Sequence, residues 1–489
     1  MLKWAAIGAG VIVAIGAALA INVWSFKPIT IDVFYTRVFA KFAFDRPEML
    51  SSMRLLPAWA DFYSHKLDDV SPAFDQKSAD QFRKDLETLH RHERAALTPE
   101  AQLSYDVLEY FLRIQAEGDR FRLHEFPVTQ LGGVHPSYPK FMVHVHEVAN
   151  ERDARNYVAR LRAFPIKIEQ TLENLKMRER QNIVPPRFTL DHVLAQITSV
   201  AAVAPRDNPL YVSFKDKLDK IPDDALSATT RQRLLVDAER ALTEQVYPAY
   251  RRMSAYVASL QAKVVTNDGA WSLPDGVAYY AWCVRRHTTT DKSPEELHAL
   301  GLAEVERIGA EMDAILKSRG LVKGSVGART LQLTQDPSQL YENSTAGKQA
   351  VLARYQQILD EVNRGVGAAF DLRPRLGVVV QAVPKYAQDG EAAAYYREGS
   401  FDGLRPSVFF VNLRDTRETP KFAMRTVAYH EGIPGHHFQI GIAQELRGVP
   451  FFRRMIPFTA YSEGCAPRGW WSIPAFTRSA GHASRRSRS

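Results

Sequence analysis

The chain has 489 residues, enough for one large domain or two smaller ones, and its composition is ordinary for a globular protein. A net charge of +8 is small for this length, and no nucleic-acid-binding motif accompanies it, so we expect no nucleic acid partner. The two cysteines, Cys283 and Cys465, exclude a disulfide framework and a cysteine-based zinc site.

The N-terminal stretch of residues 4–26 contains no charged residue and ends before Lys27. A stretch of about 20 such residues is long enough to span a bilayer, and Trp24 suits the membrane interface. A cleaved signal peptide ending near Ala20 is the alternative. Both interpretations place the rest of the chain outside the cytoplasm, on the periplasmic side. We favour a retained anchor in the inner membrane, formed by residues 1–27.

Helical periodicity dominates from about residue 30 onward, with apolar residues three and four positions apart. The pattern predicts helices over Ala79–Arg94, Pro99–Glu117, Glu151–Arg180, Thr229–Lys263 and Ser293–Arg319. Ser293-Pro294-Glu295-Glu296 has the composition of a helix start. The polar segment 320–346 is predicted to be a loop.

Two short runs, Leu376–Val383 and Ser407–Leu413, are rich in β-branched and aromatic residues and predict strands. A further helix is predicted over Lys421–Tyr429. Histidines at 135, 144, 146 and 287 could suggest metal ligands, but we interpret them as ordinary polar residues of a strand, turn or helix end.

The segment His430-Glu431-Gly432-Ile433-Pro434-Gly435-His436-His437 holds the densest group of metal-binding residue types. In the common zinc-peptidase signature two histidines stand four residues apart on one helix face. Here that position is Pro434, which cannot bind metal and which interrupts a helix. On an unbroken helix His437 would lie about 10 Å further along the axis than His430. We therefore expect a break at Pro-Gly that returns His436 or His437 to His430.

This segment resembles the bacterial DUF885 family, which is grouped by resemblance with zinc metallopeptidases of the thermolysin-like (gluzincin) superfamily. Weaker similarities cover roughly residues 30 to 464 and include Asp153–Leu161, Asn208–Tyr211, Leu273–Gly276 and His287–Thr289. The resemblance implies a mainly α-helical domain, residues 28–464, with a small β-sheet beside a zinc-binding helix.

The resemblance also implies residue roles. His430, His436 and Glu463 would hold one Zn²⁺, with His437 as an alternative ligand or supporting residue, and Glu431 would activate a zinc-bound water. The expected function is hydrolysis of peptide bonds. The alternative is a catalytically inactive, membrane-anchored peptide-binding relic of the family.

Superfamily relatives bind the substrate backbone along a sheet edge beside the metal helix. By this resemblance the run containing Phe409, Val411 and Asn412 is the predicted substrate-binding strand. Tyr396, just before it in the chain, is predicted to line the cleft.

The sequence departs from the family pattern after Gly464. Residues 465–489 are rich in Arg, Ser, Ala and Gly, contain no acidic residue and lose helical periodicity. We interpret them as a frameshifted or divergent basic tail that replaces the last part of the domain. On this interpretation we expect low stability and weak or no activity.

Overall fold

The computed structural model describes residues 21–264, 269–456 and 458–464. The predicted tail at 465–489 and most of the predicted membrane segment at 4–26 lie outside these residues. None of the helices within the described ranges is long and apolar enough to cross a membrane. The described residues form two compact units, 21–264 with 446–456 and 269–445 with 458–464.

The first unit is helical. Its helices are Ile31–Phe44 (α1), Pro47–Met53 (α2), Pro72–His90 (α3), Pro99–Gly118 (α4), Val134–His144 (α5), Glu151–Glu179 (α6), Arg187–Ala201 (α7), Pro209–Leu218 (α8), Ala228–Ala241 (α9) and Tyr247–Gln261 (α10). A π-helical turn at Leu242–Val246 joins α9 to α10.

The main core of this unit lies among helices α5 to α10, where aromatic rings pack face to face. Tyr157 stacks on Phe214 with ring centroids 4.5 Å apart, and Tyr138 stacks on Phe164 at 4.1 Å. His146 packs edge-on against Tyr157, with ring centroids 5.1 Å apart. His146 accepts a hydrogen bond from the buried Arg160 guanidinium at 2.7 Å. His135 and His144 lie in the helix 134–144, not in a strand.

The second unit combines helices with a small sheet. Its helices are Gly276–Thr288 (α11), Pro294–Ser318 (α12), Val326–Gln335 (α13), Thr345–Gly365 (α14), Met424–Glu431 (α15) and His436–Glu445 (α16). Its strands are Val378–Ala382 (β1), Ala394–Arg397 (β2) and Ser407–Val411 (β3).

The sheet has the order β1-β3-β2, with β1 parallel and β2 antiparallel to β3. Strand β3 is therefore the middle strand, and all of its residues are buried. Phe409 and Val411 are fully buried in the core against α14 and α15. The predicted role of this run as a substrate-binding edge is wrong, because neighbouring strands occupy both of its backbone edges.

The mainly helical fold and the small sheet are confirmed, and most of the predicted helices appear within a few residues of their expected ends, although the helix predicted from Ala79 begins at Pro72. Ser293 forms the expected cap, since its Oγ accepts the Glu296 N–H while the Glu296 carboxylate accepts the Ser293 N–H. The loop prediction for 320–346 is wrong over Val326–Gln335, a helix that is capped by Ser325, whose Oγ accepts the Ala328 N–H.

Helix α12 presents much of its apolar surface to solvent. Leu302, Val305 and Ile315 are 58%, 70% and 61% exposed, and Leu316 is the buried residue of the helix. By contrast α14 in the same unit buries Val351 and Leu359 in the core beneath the sheet.

Candidate metal centre

Two short helices meet at the Pro-Gly interruption that the sequence predicted. Helix α15 ends at Glu431 and α16 begins at His436, with the cis Ile433–Pro434 peptide between them. Gly435 is required here, because a Cβ at this position would lie 1.9 Å from the His430 carbonyl oxygen. The chain thus folds back closely enough for His436 to reach His430.

His430, His436 and Glu463 form a cluster that could hold a metal ion. One ligand atom from each lies within 4.8 Å of the others. Glu463 Oε2 is 3.6 Å from His430 Nε2 and 3.8 Å from His436 Nε2, and the two rings have centroids 4.5 Å apart. Two nitrogen donors and one carboxylate are the ligand set of the His₂Glu zinc sites.

Side chains of α11 and α16 contact the segment that carries Glu463. His287, near the end of α11, lies 2.9 Å from Thr459 Oγ1 through its Nδ1. The Gln439 side chain, on α16, donates to the Tyr461 carbonyl at 3.5 Å. Residues 459–464 are helical. The Glu463 side chain itself is 56% exposed.

Glu431 lies beside this cluster but is buried, with 9% of its surface exposed. Its carboxylate accepts a hydrogen bond from the backbone N–H of Tyr396 on β2. Burial raises the pKa of Glu431 to about 7, and the nearby Glu463 carboxylate acts in the same direction. Glu431 thus faces the sheet edge as well as the cluster.

His436 has the protonation state that a metal ligand needs. Burial and the neighbouring His430 lower its pKa, which favours the neutral imidazole. Its Nδ1 is buried without a hydrogen-bond partner, and so is Oε1 of Gln439, three residues further along α16. A metal bound at Nε2 of His436 leaves the proton on Nδ1 of the same ring. The side-chain oxygen of Gln439, three residues away on the same helix face, is an acceptor of the kind that this N–H needs.

His437 is not part of this cluster. Successive residues on a helix point about 100° apart, so His437 faces the sheet when His436 faces His430. It is buried, its Nδ1 lies 3.3 Å from the Tyr396 hydroxyl, and it also bonds the Leu376 backbone. Burial lowers its pKa to about 4. This position fits the supporting role rather than that of a ligand.

The sequence therefore identified the cluster residues and Tyr396, and it missed how they are held. The Tyr396 hydroxyl lies 3.0 Å from Ser407 Oγ at the start of β3. Asn412, predicted to bind substrate, is fully buried and donates through Nδ2 to the carbonyls of Gln388 and Glu391. The sequence placed Ser407 in a predicted strand and drew attention to His287, but it gave no signal for their contacts with Tyr396 and Thr459.

Comparison with known proteins matches residues 47–466 to the family described as "Bacterial protein of unknown function (DUF885)". Among solved structures, the chain is similar to "the putative lipoprotein from Colwellia psychrerythraea", with 26% identity and a TM-score of 0.84. That match covers 91% of this chain and 77% of the other.

A second similar structure is "a putative lipoprotein of unknown function from Shewanella oneidensis", with 13% identity and a TM-score of 0.57. It covers 90% of this chain and 78% of the other, and at this identity it bears on the fold alone. No curated protein matches the chain.

Proposed function

The chain belongs to the DUF885 family, whose function is unknown, and we propose that it is a zinc-dependent hydrolase acting on peptide bonds. One observation carries the proposal: His430, His436 and Glu463 bring three ligand atoms within 4.8 Å of one another. Zinc-bound ligands at about 2.0–2.2 Å from a tetrahedral ion are separated by roughly 3.4 Å, close to the distances from Glu463.

When bound, zinc would lower the pKa of a water molecule and polarise the substrate carbonyl. Three protein ligands leave a fourth position open, as catalytic zinc sites require. Glu431 follows His430 directly in the chain and is the general base in this proposal. Its buried carboxylate, held by the Tyr396 N–H, takes a proton from the attacking water and passes it to the leaving amine.

The outer edge of strand β2 supports a peptide as the substrate. Asn412 N–H donates to the Ala393 carbonyl, so the backbone groups of residue 393 point toward β3. Backbone direction alternates along a strand, so Ala394 and Tyr396 present theirs on the opposite side. The Tyr396 N–H reaches Glu431 on that side. An extended peptide pairing with this edge would bring its backbone to the base.

The alternative to hydrolysis is peptide binding without turnover. It is favoured by the 56% exposure of the Glu463 side chain, since a solvent-exposed third ligand is weakly held. Hydrolysis of a different amide or of an ester is a further outcome. For location, the similar structure from Colwellia psychrerythraea is titled a putative lipoprotein, and we propose an extracytoplasmic, membrane-associated place for this chain as well.

The test combines zinc content with a peptide-library assay on the full chain. We expect about one zinc per chain, lost in His430→Ala and retained in Glu431→Gln. Hydrolysis should fall about 10²- to 10⁴-fold in Glu431→Gln, because the general base is removed while the metal stays. Zinc and peptide binding without cleavage would identify the binding protein, and absence of zinc from the wild-type chain would overturn the metal site.

A further inference from the structure

Four of the exposed aromatic side chains of the first unit form what we call the aromatic surface: Trp24, Phe44, Trp59 and Phe62. Their exposed fractions are 45%, 44%, 87% and 43%. Trp24 stacks on Phe44 with ring centroids 6.4 Å apart, and Phe44 meets Phe62 edge-on at 5.7 Å. Trp59 precedes Phe62 by three residues in the same turn. Contiguous exposed aromatic surface of this kind marks an interaction site.

The turn that presents Trp59 is fixed to the helices behind it. The Arg152 guanidinium, on α6, donates to the Ala58 carbonyl at 3.0 Å and pairs with Asp61 at 3.7 Å. The Asp61 carboxylate in turn accepts the Ser64 N–H at 2.9 Å. The side chain of Trp59 therefore points into solvent from an ordered turn.

Lysines accompany these rings. Lys41 Nζ lies 5.6 Å from the centroid of the Trp24 ring, and Lys66 Nζ lies 5.8 Å from that of Phe62. The nearby acid Asp45 is paired with Lys77 at 2.7 Å. The surface thus combines aromatic rings with cations. Rings of Trp at the headgroup level, flanked by lysines, are typical of protein segments at a membrane interface.

The sequence leads directly from an apolar stretch into this surface. Residues 4–23 contain no charged side chain, and Trp24 follows them. A protein partner would leave the coincidence of this stretch, the rings and the lysines unexplained. Anionic phospholipid matches all three, because its acyl boundary receives aromatic rings and its phosphates attract lysines.

We propose that the aromatic surface lies in the headgroup layer of an anionic phospholipid bilayer and holds the first unit against the membrane. This contact involves Phe44, Trp59 and Phe62 of the folded unit together with Trp24, and it is additional to any attachment through the apolar residues 4–23. It does not depend on the metal centre or on hydrolysis.

The test uses the full chain with both cysteines, Cys283 and Cys465, replaced by serine. An environment-sensitive fluorophore is attached at Trp59→Cys, and the protein is mixed with liposomes that contain phosphatidylglycerol and a lipid-borne quencher. Leu131→Cys is the matched control, since Leu131 is an exposed apolar residue of the same unit, 76% exposed, outside the aromatic surface. We expect a blue shift and quenching at position 59 and neither at position 131.

A second arm tests the lysines. Lys41→Gln and Lys66→Gln should each reduce the surface-bound population on anionic liposomes about fivefold, and leave it unchanged on neutral phosphatidylcholine. Equal responses at positions 59 and 131, or no response at position 59, would overturn the proposal. Insensitivity to both lysine substitutions would overturn the assignment of anionic lipid.

Discussion

The backbone N–H of Tyr396 donates a hydrogen bond to the Glu431 carboxylate. The same residue uses its hydroxyl to contact Ser407 and His437, at 3.0 and 3.3 Å. Strand β2 thereby connects the buried carboxylate, the middle strand of the sheet and helix α16. Because the bond to Glu431 comes from the main chain, it does not depend on the identity of the side chain.

Tyr396→Phe separates these two connections. The variant removes the hydroxyl and leaves polar groups of Ser407 and His437 buried without this partner. We expect a loss of about 1–3 kcal/mol in the free energy of unfolding, measured by urea denaturation. Zinc content should stay at the wild-type level, because neither residue that the hydroxyl contacts, Ser407 or His437, is one of the proposed ligands.

Tyr395→Phe is the matched control, since the neighbouring ring stacks on Phe410 at 4.9 Å and keeps that contact after the substitution. A Tyr396→Phe variant no less stable than Tyr395→Phe would show that the hydroxyl contacts contribute nothing. Loss of zinc from Tyr396→Phe would show that the side chain, too, positions the site.

Gly435→Ala tests the close return of the chain between α15 and α16. The added Cβ would lie 1.9 Å from the His430 carbonyl oxygen and 2.2 Å from that of Tyr429, and main-chain atoms cannot move aside alone. We expect His430 and His436 to separate, zinc to be lost, and hydrolysis to fall about 10²-fold or more. Elemental analysis and the peptide assay would measure both effects.

The control for this substitution is Gly309→Ala on helix α12. Apart from its chain neighbours and the backbone of its own helix, no heavy atom of the described residues lies within 4 Å of the Cβ that would be added there. Alanine is favoured over glycine inside a helix, so the variant should gain roughly 0.5–1 kcal/mol and keep its zinc. Normal zinc content in Gly435→Ala would contradict the explanation given for Gly435.

Local chemistry explains how far the sequence could predict this structure. Pro434 lacks an N–H, which predicts a break in the helix, and Gly435 allows the close return that brings His436 into reach of His430. Ser293 and Glu296 likewise fixed a helix start from four residues. The position of β3 could not be predicted in this way, since a buried apolar strand has the same sequence pattern whether it lies in the middle or at the edge of a sheet. Pairing with β1 and β2 depends on contacts distant in sequence.

A pH dependence follows from His135 in the first unit. Burial lowers its pKa to about 4 from the ordinary value of 6.5, and its Nε2 lies 2.8 Å from Gln196 Oε1. The folded state therefore resists protonation that the unfolded chain accepts. The contribution of neutral His135 to the free energy of unfolding is complete above pH 6.5. This contribution is lost as the pH falls from 6.5 to 4, by about 1.4 kcal/mol per pH unit.

His135→Gln removes this titration. Free energies of unfolding measured from pH 7 to pH 4.5 should decline more steeply in the wild type, so that the difference between the proteins changes by roughly 2 kcal/mol. Parallel curves for the two proteins would show that His135 does not resist protonation in the folded state.

The exposed face of α12 leads to a comparison of two valines in helices of the same unit. Val305 on α12 is 70% exposed, whereas Val351 on α14 is fully buried in the core beneath the sheet. Val351→Ala should cost roughly 1.5–3 kcal/mol, because it removes buried methyl groups and leaves a cavity. Val305→Ala should change the free energy of unfolding by less than about 0.5 kcal/mol, because nothing is lost from a core and alanine is the better helix former. Urea denaturation of both variants measures the difference. A cost at Val305 comparable to that at Val351 would mean that the face of α12 is covered in solution, and sedimentation velocity would then show whether a second copy of the chain covers it.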